Sequence, residues 1–289
     1  MAEPTPLIYL NGRMLSESNA HLSPLDRGFT LADGLFETMV ALGERVFRLR
    51  DHLSRLREGA EVLHLELPPE EELAEAVREV LRRNGREKSV VRLTVTRGVD
   101  PGRGLDVSPG IAPTVVVRAT AWSGPATTPS QGLRAVVSTV RRNDLSPLSR
   151  IKSLSYVEAV VARLQARRSG AEDALLCNTR GHLTGATSSN IFAIIGNALV
   201  TPPQEDGVLP GVARRTVLEE AKALTFPAGE RSVTPEEIAG ADEVFLTNVV
   251  TGVVPVVSLD GRPIGRGVIG PETERLRQMY WERVRRELR

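Results

Sequence analysis

One lysine and one run of hydroxyl residues carry the most chemical promise in this 289-residue chain. Of its 37 Lys and Arg residues, three are lysine: Lys88, Lys152 and Lys222. Lys88 lies in the polar turn Gly85-Arg86-Glu87-Lys88, and Lys222 among charges on a helical face. Both read as solvated. Lys152 sits in Ser149-Arg150-Ile151-Lys152-Ser153-Leu154-Ser155-Tyr156, at the start of a helical pattern that runs to Gly170. A lysine amine forms a Schiff base with a carbonyl when desolvation or neighbouring cations make it easier to deprotonate. Some thirty residues on, Gly181-His182-Leu183-Thr184-Gly185-Ala186-Thr187-Ser188-Ser189-Asn190-Ile191-Phe192 supplies hydroxyls. Hydroxyls and free backbone N–H groups hold phosphate well. From composition alone, a reactive Lys152 and an ordinary surface lysine are equally good readings.

The elements that must position these residues follow from periodicity. Leu7–Leu10, Asn11-Gly12 and Met14-Leu15 predict a hairpin with a two-residue turn. Val46–Leu49 is predicted as strand, followed by helices through Leu53, Leu56, Ala60 and Leu63 and over 69–83, the latter ending at Asn84-Gly85. Residues 89–97 and Thr114–Ala121 alternate as strands around the Gly/Pro-rich loop Gly98-Val99-Asp100-Pro101-Gly102-Arg103-Gly104. Residues 123–132 are the clearest linker, dividing an α+β domain over 1–122 from a barrel-like α/β domain over 133–289 that carries Lys152. The helix after Lys152 is expected to bury Tyr156, Val160 and Leu164. Val208-Leu209-Pro210-Gly211-Val212-Ala213 opens another helix, and a Pro-Gly turn there leaves N–H groups at the positive end of a dipole. Thr234-Pro235-Glu236-Glu237 reads as a capping box. Residues 271–289 form a final amphipathic helix.

Composition removes several function classes. A net charge of +1 with no single-sign block gives nucleic acid or a membrane surface no electrostatic purchase. Aromatic content of 4% is too low for single-strand stacking platforms. The single Cys177 lies in an apolar strand-like run, excludes an intrachain disulfide and fits a reducing cytoplasm. No signal peptide, membrane span or metal-ligand cluster is read from the sequence.

Ser149–Tyr156 and Gly181–Phe192 together resemble the fold-type IV pyridoxal-phosphate enzymes, the class IV aminotransferases. That family includes branched-chain and D-amino-acid transaminases and aminodeoxychorismate lyase. The resemblance spans about Tyr9 to Tyr280 and extends to Leu22–Phe29 with Asp33–Thr38, and to His52-Leu53-Ser54-Arg55. It implies pyridoxal 5'-phosphate on Lys152, with Tyr156 near the cofactor's phenolic oxygen. Arg55, whose guanidinium offers a planar fork of donors, Thr187, Ser188, the N–H groups of Val212 and Ala213, and Thr247-Asn248 are implied to hold the phosphate. Leu209 is implied to pack on the ring, Phe36 to face the substrate, and Arg103 to bind its carboxylate from the neighbouring subunit of a homodimer.

One departure stands out. Most of the family has a glutamate, partner of the pyridine nitrogen, where this chain has Gly185. Aromatisation of the product makes a weaker electron sink tolerable in a lyase. With the Arg103 loop, Ala213 and Thr247-Asn248, this favours an aminodeoxychorismate lyase releasing 4-aminobenzoate and pyruvate. A transaminase of branched-chain or D-amino acids is the alternative, favoured by the broader family and by Glu37. A cofactor-binding protein without catalysis is the third.

Overall fold

The computed structural model describes residues 6–102, 104–124, 131–222 and 227–289. The chain forms two compact units. The first is built on the sequence up to Gly124 and takes in Ile151–Ser155; the second takes in the segment ending at Arg150 and Tyr156–Glu287. Linker position alone puts Lys152 in the C-terminal domain, whereas its contacts group it with the first unit. The reason is backbone pairing. Ser153 bridges Leu35, and the Leu154 N–H donates to the Gly34 carbonyl at 3.0 Å.

In the first unit six strands are ordered β2-β1-β6-β5-β3-β4. They are β1 (Leu7–Leu10), β2 (Arg13–Ser16), β3 (Gly34–Leu42), β4 (Arg45–Val46), β5 (Lys88–Thr96) and β6 (Thr114–Ala121). Asn11 and Gly12 both have positive φ, at 46° and 82°, the turn that matches the twist of a hairpin. The short α1 (Arg27–Leu31) precedes β3. Helices α2 (Leu49–Leu63) and α3 (Glu70–Asn84) pack on the sheet. Their Leu53, Leu56, Val77 and Val80 join Leu35, Met39, Val91 and Leu93 in one core. α3 carries Glu70, Glu71 and Glu72 in its first turn and Arg82 and Arg83 in its last, complementing its dipole, and ends on Gly85 at φ 58°. The predicted strand over Val46–Leu49 stops at Val46, because Arg48 turns left-handed and α2 begins at Leu49.

Among the described residues the second unit holds nine strands in the order β12-β11-β10-β13-β14-β7-β8-β9, with β15 paired to β14. They are β7 (Leu133–Arg142), β8 (Asp173–Asn178), β9 (Leu183–Ala186), β10 (Asn190–Ile195), β11 (Ala198–Thr201), β12 (Ala228–Glu230), β13 (Glu243–Asn248), β14 (Gly252–Leu259) and β15 (Arg262–Pro263). Helices α4 (Val157–Arg168), α5 (Val212–Ala221), α6 (Pro235–Ala239) and α7 (Pro271–Leu288) complete it. Thr234 and Glu237 form the predicted capping box of α6. Glu243 caps α7 by accepting the N–H groups of Glu272 at 3.2 Å and Thr273 at 2.7 Å.

Helix α4 reverses an expectation. Its buried residues are Ala159, Ala162 and Ala166, while Val160 and Leu164 are more than half exposed. Small side chains let the helix approach β7 and β8 closely, which turns the larger apolar residues outward. Among the described residues no helix is long and apolar enough to cross a membrane.

Candidate active site

The residues singled out from sequence fall into two clusters, one in each unit. The first is assembled on β3. The Phe36 N–H donates to the Lys152 carbonyl at 3.0 Å, which fixes the lysine's backbone beside the strand. Gly34 permits this approach. A Cβ there would lie 2.6 Å from the Val95 carbonyl oxygen and 2.9 Å from Leu154 Cδ1. Lys152 Nζ then sits 4.3 Å from the centroid of the buried Phe36 ring. The Arg92 guanidinium carbon lies 3.8 Å from the same centroid. Register explains the second contact: Thr38 faces Arg92 and Phe36 faces Thr94, so Arg92 is the diagonal cross-strand neighbour of Phe36. Two cations on one aromatic ring are each favoured by its quadrupole.

Strand alternation turns Glu37 to the other face, with Leu35 and Met39, towards α2. There Glu37 accepts Arg55 Nε at 2.8 Å and Nη2 at 2.6 Å, and meets His52 Nδ1 at 2.7 Å. Glu37 and His52 are fully buried. Burial would raise the Glu37 carboxyl, but the charges of Arg55 and His52 and their hydrogen bonds hold it down to about 2. Burial pushes His52 below the usual imidazole range; the Glu37 carboxylate opposes this, and the cations Arg55 and Lys152 add to the lowering. Because an ionised carboxylate can only accept, His52 Nδ1 carries the hydrogen and donates it to Glu37. Its Nε2 is buried without a hydrogen-bond partner among the described residues.

The second cluster gathers around the start of α5. Gly211 is its N-cap and provides no side-chain cap, and the first N–H groups of a helix have no partner within it. Asn190 braces the approach, its Nδ2 donating to the Leu209 carbonyl at 2.9 Å. A Cβ at Gly211 would collide with Asn190 Oδ1, so a larger residue there would displace the side chain that braces the turn. Thr247 lies opposite Asn190 in the β10–β13 register, and its buried hydroxyl has no hydrogen-bond partner among the described residues. Asn248 closes its turn by accepting the N–H groups of Val250 at 3.0 Å and Thr251 at 2.9 Å, and donates to Ser189 Oγ at 3.0 Å. Ser188 is exposed, and Leu209 is half-buried just before the turn. Helix-start N–H groups, a buried unpartnered hydroxyl and a glycine cradle suit a phosphate.

Several expected roles change with this geometry. Nε and Nη2 of Arg55 are bonded to Glu37, so its full fork is not presented to a phosphate. The Thr187 hydroxyl donates to Asp173 Oδ1 at 2.7 Å and receives Arg163 Nε at 2.9 Å, which commits its proton inside a buried network. Tyr156 is not one helical turn beyond Lys152, because residues 151–155 are not helical and α4 begins at Val157. Arg103 lies outside the described residues, as does most of the 123–132 linker. Arg92, His52, Asn190 and the Arg163–Asp173 pair escaped sequence reasoning. Arg92 alone had a usable signal, since antiparallel pairing of two alternating strands brings it towards Phe36.

Gly185 holds φ at 142°, and a Cβ there would lie 2.6 Å from the Ser189 carbonyl oxygen. No carboxylate stands at this position. Nearby Asp173 is already engaged, accepting Thr187 Oγ1 and the Ala174 N–H on one oxygen and Arg163 on the other.

The model of the amino-transferase class IV family matches residues 34–259. A Methanocaldococcus jannaschii protein with a provisional branched-chain-amino-acid aminotransferase name is 34% identical over 94% of this chain and 94% of its own. The D-alanine aminotransferase of Bacillus licheniformis is 32% identical over 92% of this chain and 93% of its own. A branched-chain amino acid aminotransferase from T.th., solved with N-(5'-phosphopyridoxyl)-L-glutamate, superimposes with a TM-score of 0.90 at 30% identity, covering 99% of this chain and 96% of that one. Pyridoxal 5'-phosphate is the cofactor of this class. In the second unit the α5 start and Thr247 have the chemistry to hold a phosphate, and in the first Lys152 has that to react with an aldehyde. Gly185 has no side chain to offer a ring nitrogen.

Proposed function

We propose that this chain, which belongs to the class IV aminotransferases, is a transaminase of branched-chain amino acids. The observation that carries the reading is the pair of cations on Phe36. Lys152 Nζ and the Arg92 guanidinium share one ring, so they lie no farther apart than the sum of their distances to it. An amino acid presents an amine and a carboxylate, and this pair answers both. The relatives support transamination over the aminodeoxychorismate lyase expected from Gly185. D-amino acids are the second reading, favoured by the nearly equal identity to the D-alanine enzyme.

When bound, pyridoxal phosphate withdraws electrons from the carbon next to the substrate nitrogen. In this reading Lys152 moves the proton at that carbon, and Arg92 orients a substrate carboxylate. Phe36 keeps water from the lysine. The N–H groups of Val212 and Ala213, with Thr247 and Asn248, hold the phosphate, while Leu209 packs on the ring. Arg103 is a further carboxylate partner, supplied across a homodimer. Helix α4 supports a second copy as the partner. Val157, Val160, Val161 and Leu164 form one exposed apolar stripe, Val157 being 72% exposed. Glu158 near one end and Arg168 at the other allow two such helices to pair antiparallel with charges matched.

The deciding assay supplies L-leucine, L-valine, D-alanine and aminodeoxychorismate in parallel, with 2-oxoglutarate as acceptor for the amino acids. Glutamate formed fastest from L-leucine or L-valine is expected. Pyruvate release from aminodeoxychorismate, without transamination of any amino acid, would overturn the reading.

A further inference from the structure

We infer that Arg27 is a positioning residue, a buried latch that sets the Gly98–Ile111 loop for substrate binding. The loop carries Arg103, so the inference rests on the carboxylate role proposed for that loop. Arg27 is 7% exposed although it lies on a five-residue surface helix. Its Nε donates to Asp33 Oδ2 at 2.9 Å. Its other two nitrogens leave their own segment for the loop: Nη1 donates to the Asp106 carbonyl at 3.1 Å and Nη2 to the Leu105 carbonyl at 3.2 Å. The Arg27 N–H also donates to the Gly98 carbonyl at 2.9 Å, where the loop begins. One residue thus grips the loop at its root and at its middle.

Asp100 closes the loop on itself beside that grip. Its Oδ2 lies 3.6 Å from Arg27 Nη1. Its Oδ1 accepts the Gly102 N–H at 2.9 Å and the Ser108 hydroxyl at 2.8 Å, while Oδ2 takes the Ser108 N–H at 3.2 Å. The Asp100 N–H donates to the Leu25 carbonyl at 3.2 Å. The neighbouring Asp26 bridges Val99 and accepts Thr96 Oγ1 at 3.0 Å. The described residues of the loop are exposed along most of its length, Leu105 at 82%, so the grip from Arg27 and Asp100 stands in for burial. A loop whose carbonyls are held by a buried guanidinium has its ordering entropy removed before substrate arrives. Asp33 does not depend on Arg27 alone, because Arg97 donates to it from Nε at 2.7 Å and Nη2 at 3.0 Å. Loss of Arg27 therefore frees the loop while Asp33, at the entry to β3, keeps its tie to Arg97 at the end of β5.

The test replaces Arg27→Lys, which keeps the charge but cannot reach three acceptors at once, and Asp100→Asn as a second lesion of the same grip. Each holoenzyme is read by steady-state kinetics with L-leucine, by cofactor titration, and by amide exchange over residues 102–108. Faster exchange there is expected, with KM raised roughly tenfold, kcat within about twofold and cofactor affinity unchanged. A merely structural role would instead lower cofactor affinity and kcat together. In the Arg103→Ala background, Arg27→Lys should raise KM no further, because both act through one loop. Unchanged exchange, unchanged KM, or a full additional rise in the double variant overturns the latch. If Arg103→Ala alone leaves KM untouched while Arg27→Lys raises it, the Arg103 role fails and the latch stands.

Discussion

The two clusters are built by opposite means. Around Lys152 the first unit uses side-chain charge in the interior: Glu37, His52 and Arg55 form a buried set behind β3, with Lys152 and Arg92 on Phe36 in front. Around α5 the second unit uses backbone N–H groups, a turn and short neutral side chains. Removing one member from a buried charge set leaves an uncompensated charge, which costs far more than the set contributes when whole. Removing one neutral donor from a backbone-built cradle costs only that bond. The first cluster should therefore couple chemistry to folding, and the second should not.

Lys152→Ala is the most damaging change expected. Turnover should fall by a thousandfold or more, on the order seen when a covalent catalyst is lost. Mass spectrometry after borohydride reduction should show no cofactor fixed to the variant. A stable adduct on the alanine protein would reassign the lysine.

Glu37→Gln should divide the clusters most clearly. Stability should drop by about 3 kcal/mol or more, because Arg55 keeps its charge and loses its counter-charge, read as a shifted urea midpoint. The parent carries a matching pH signature. Its Glu37 carboxyl is depressed in the folded protein to about 2 from the ordinary 4.5, so its contribution is full above the ordinary value. That contribution fades as pH falls from there towards 2. Subtracting the variant's acid-unfolding curve from the parent's should isolate this slope, and parallel curves would contradict the buried pairing.

Thr247→Val should do the reverse, with the smallest effect on the fold. The hydroxyl has no partner among the described residues, so an isosteric methyl should leave the urea midpoint within about 0.5 kcal/mol of the parent. Cofactor affinity should weaken about tenfold, as for the loss of one hydrogen bond to a charged group. Equal affinity in both proteins would remove Thr247 from the phosphate site.

The same contrast governs what the sequence disclosed. The second cluster was legible because turns and helix starts are local: Leu209-Pro210-Gly211 and Thr247-Asn248 announce their geometry within a few residues. The hairpin at Asn11-Gly12, the capping box at Thr234 and the strand over Thr114–Ala121 were legible for the same reason. The first cluster was not. Glu37 and Arg55 are eighteen positions apart, and Arg92 reaches Phe36 only through strand pairing. A motif points to Arg55, but its engagement with Glu37 is a tertiary fact. Helix α4 misled because its Val and Leu residues have helical spacing on the outer face, and the alanines that face the sheet carry little hydrophobic signal.

Gly185 has a bearing on how this lineage can change. Its backbone occupies a conformation closed to side chains, and the Ser189 carbonyl fills the place a Cβ would take. A single codon change to an acidic residue would meet strain of roughly 1 to 3 kcal/mol before any gain at the cofactor could be selected. A carboxylate here is better accommodated together with a shift of the Ala186–Ser189 turn than by itself. A gain in catalytic strength is therefore reached with less strain at positions other than Gly185.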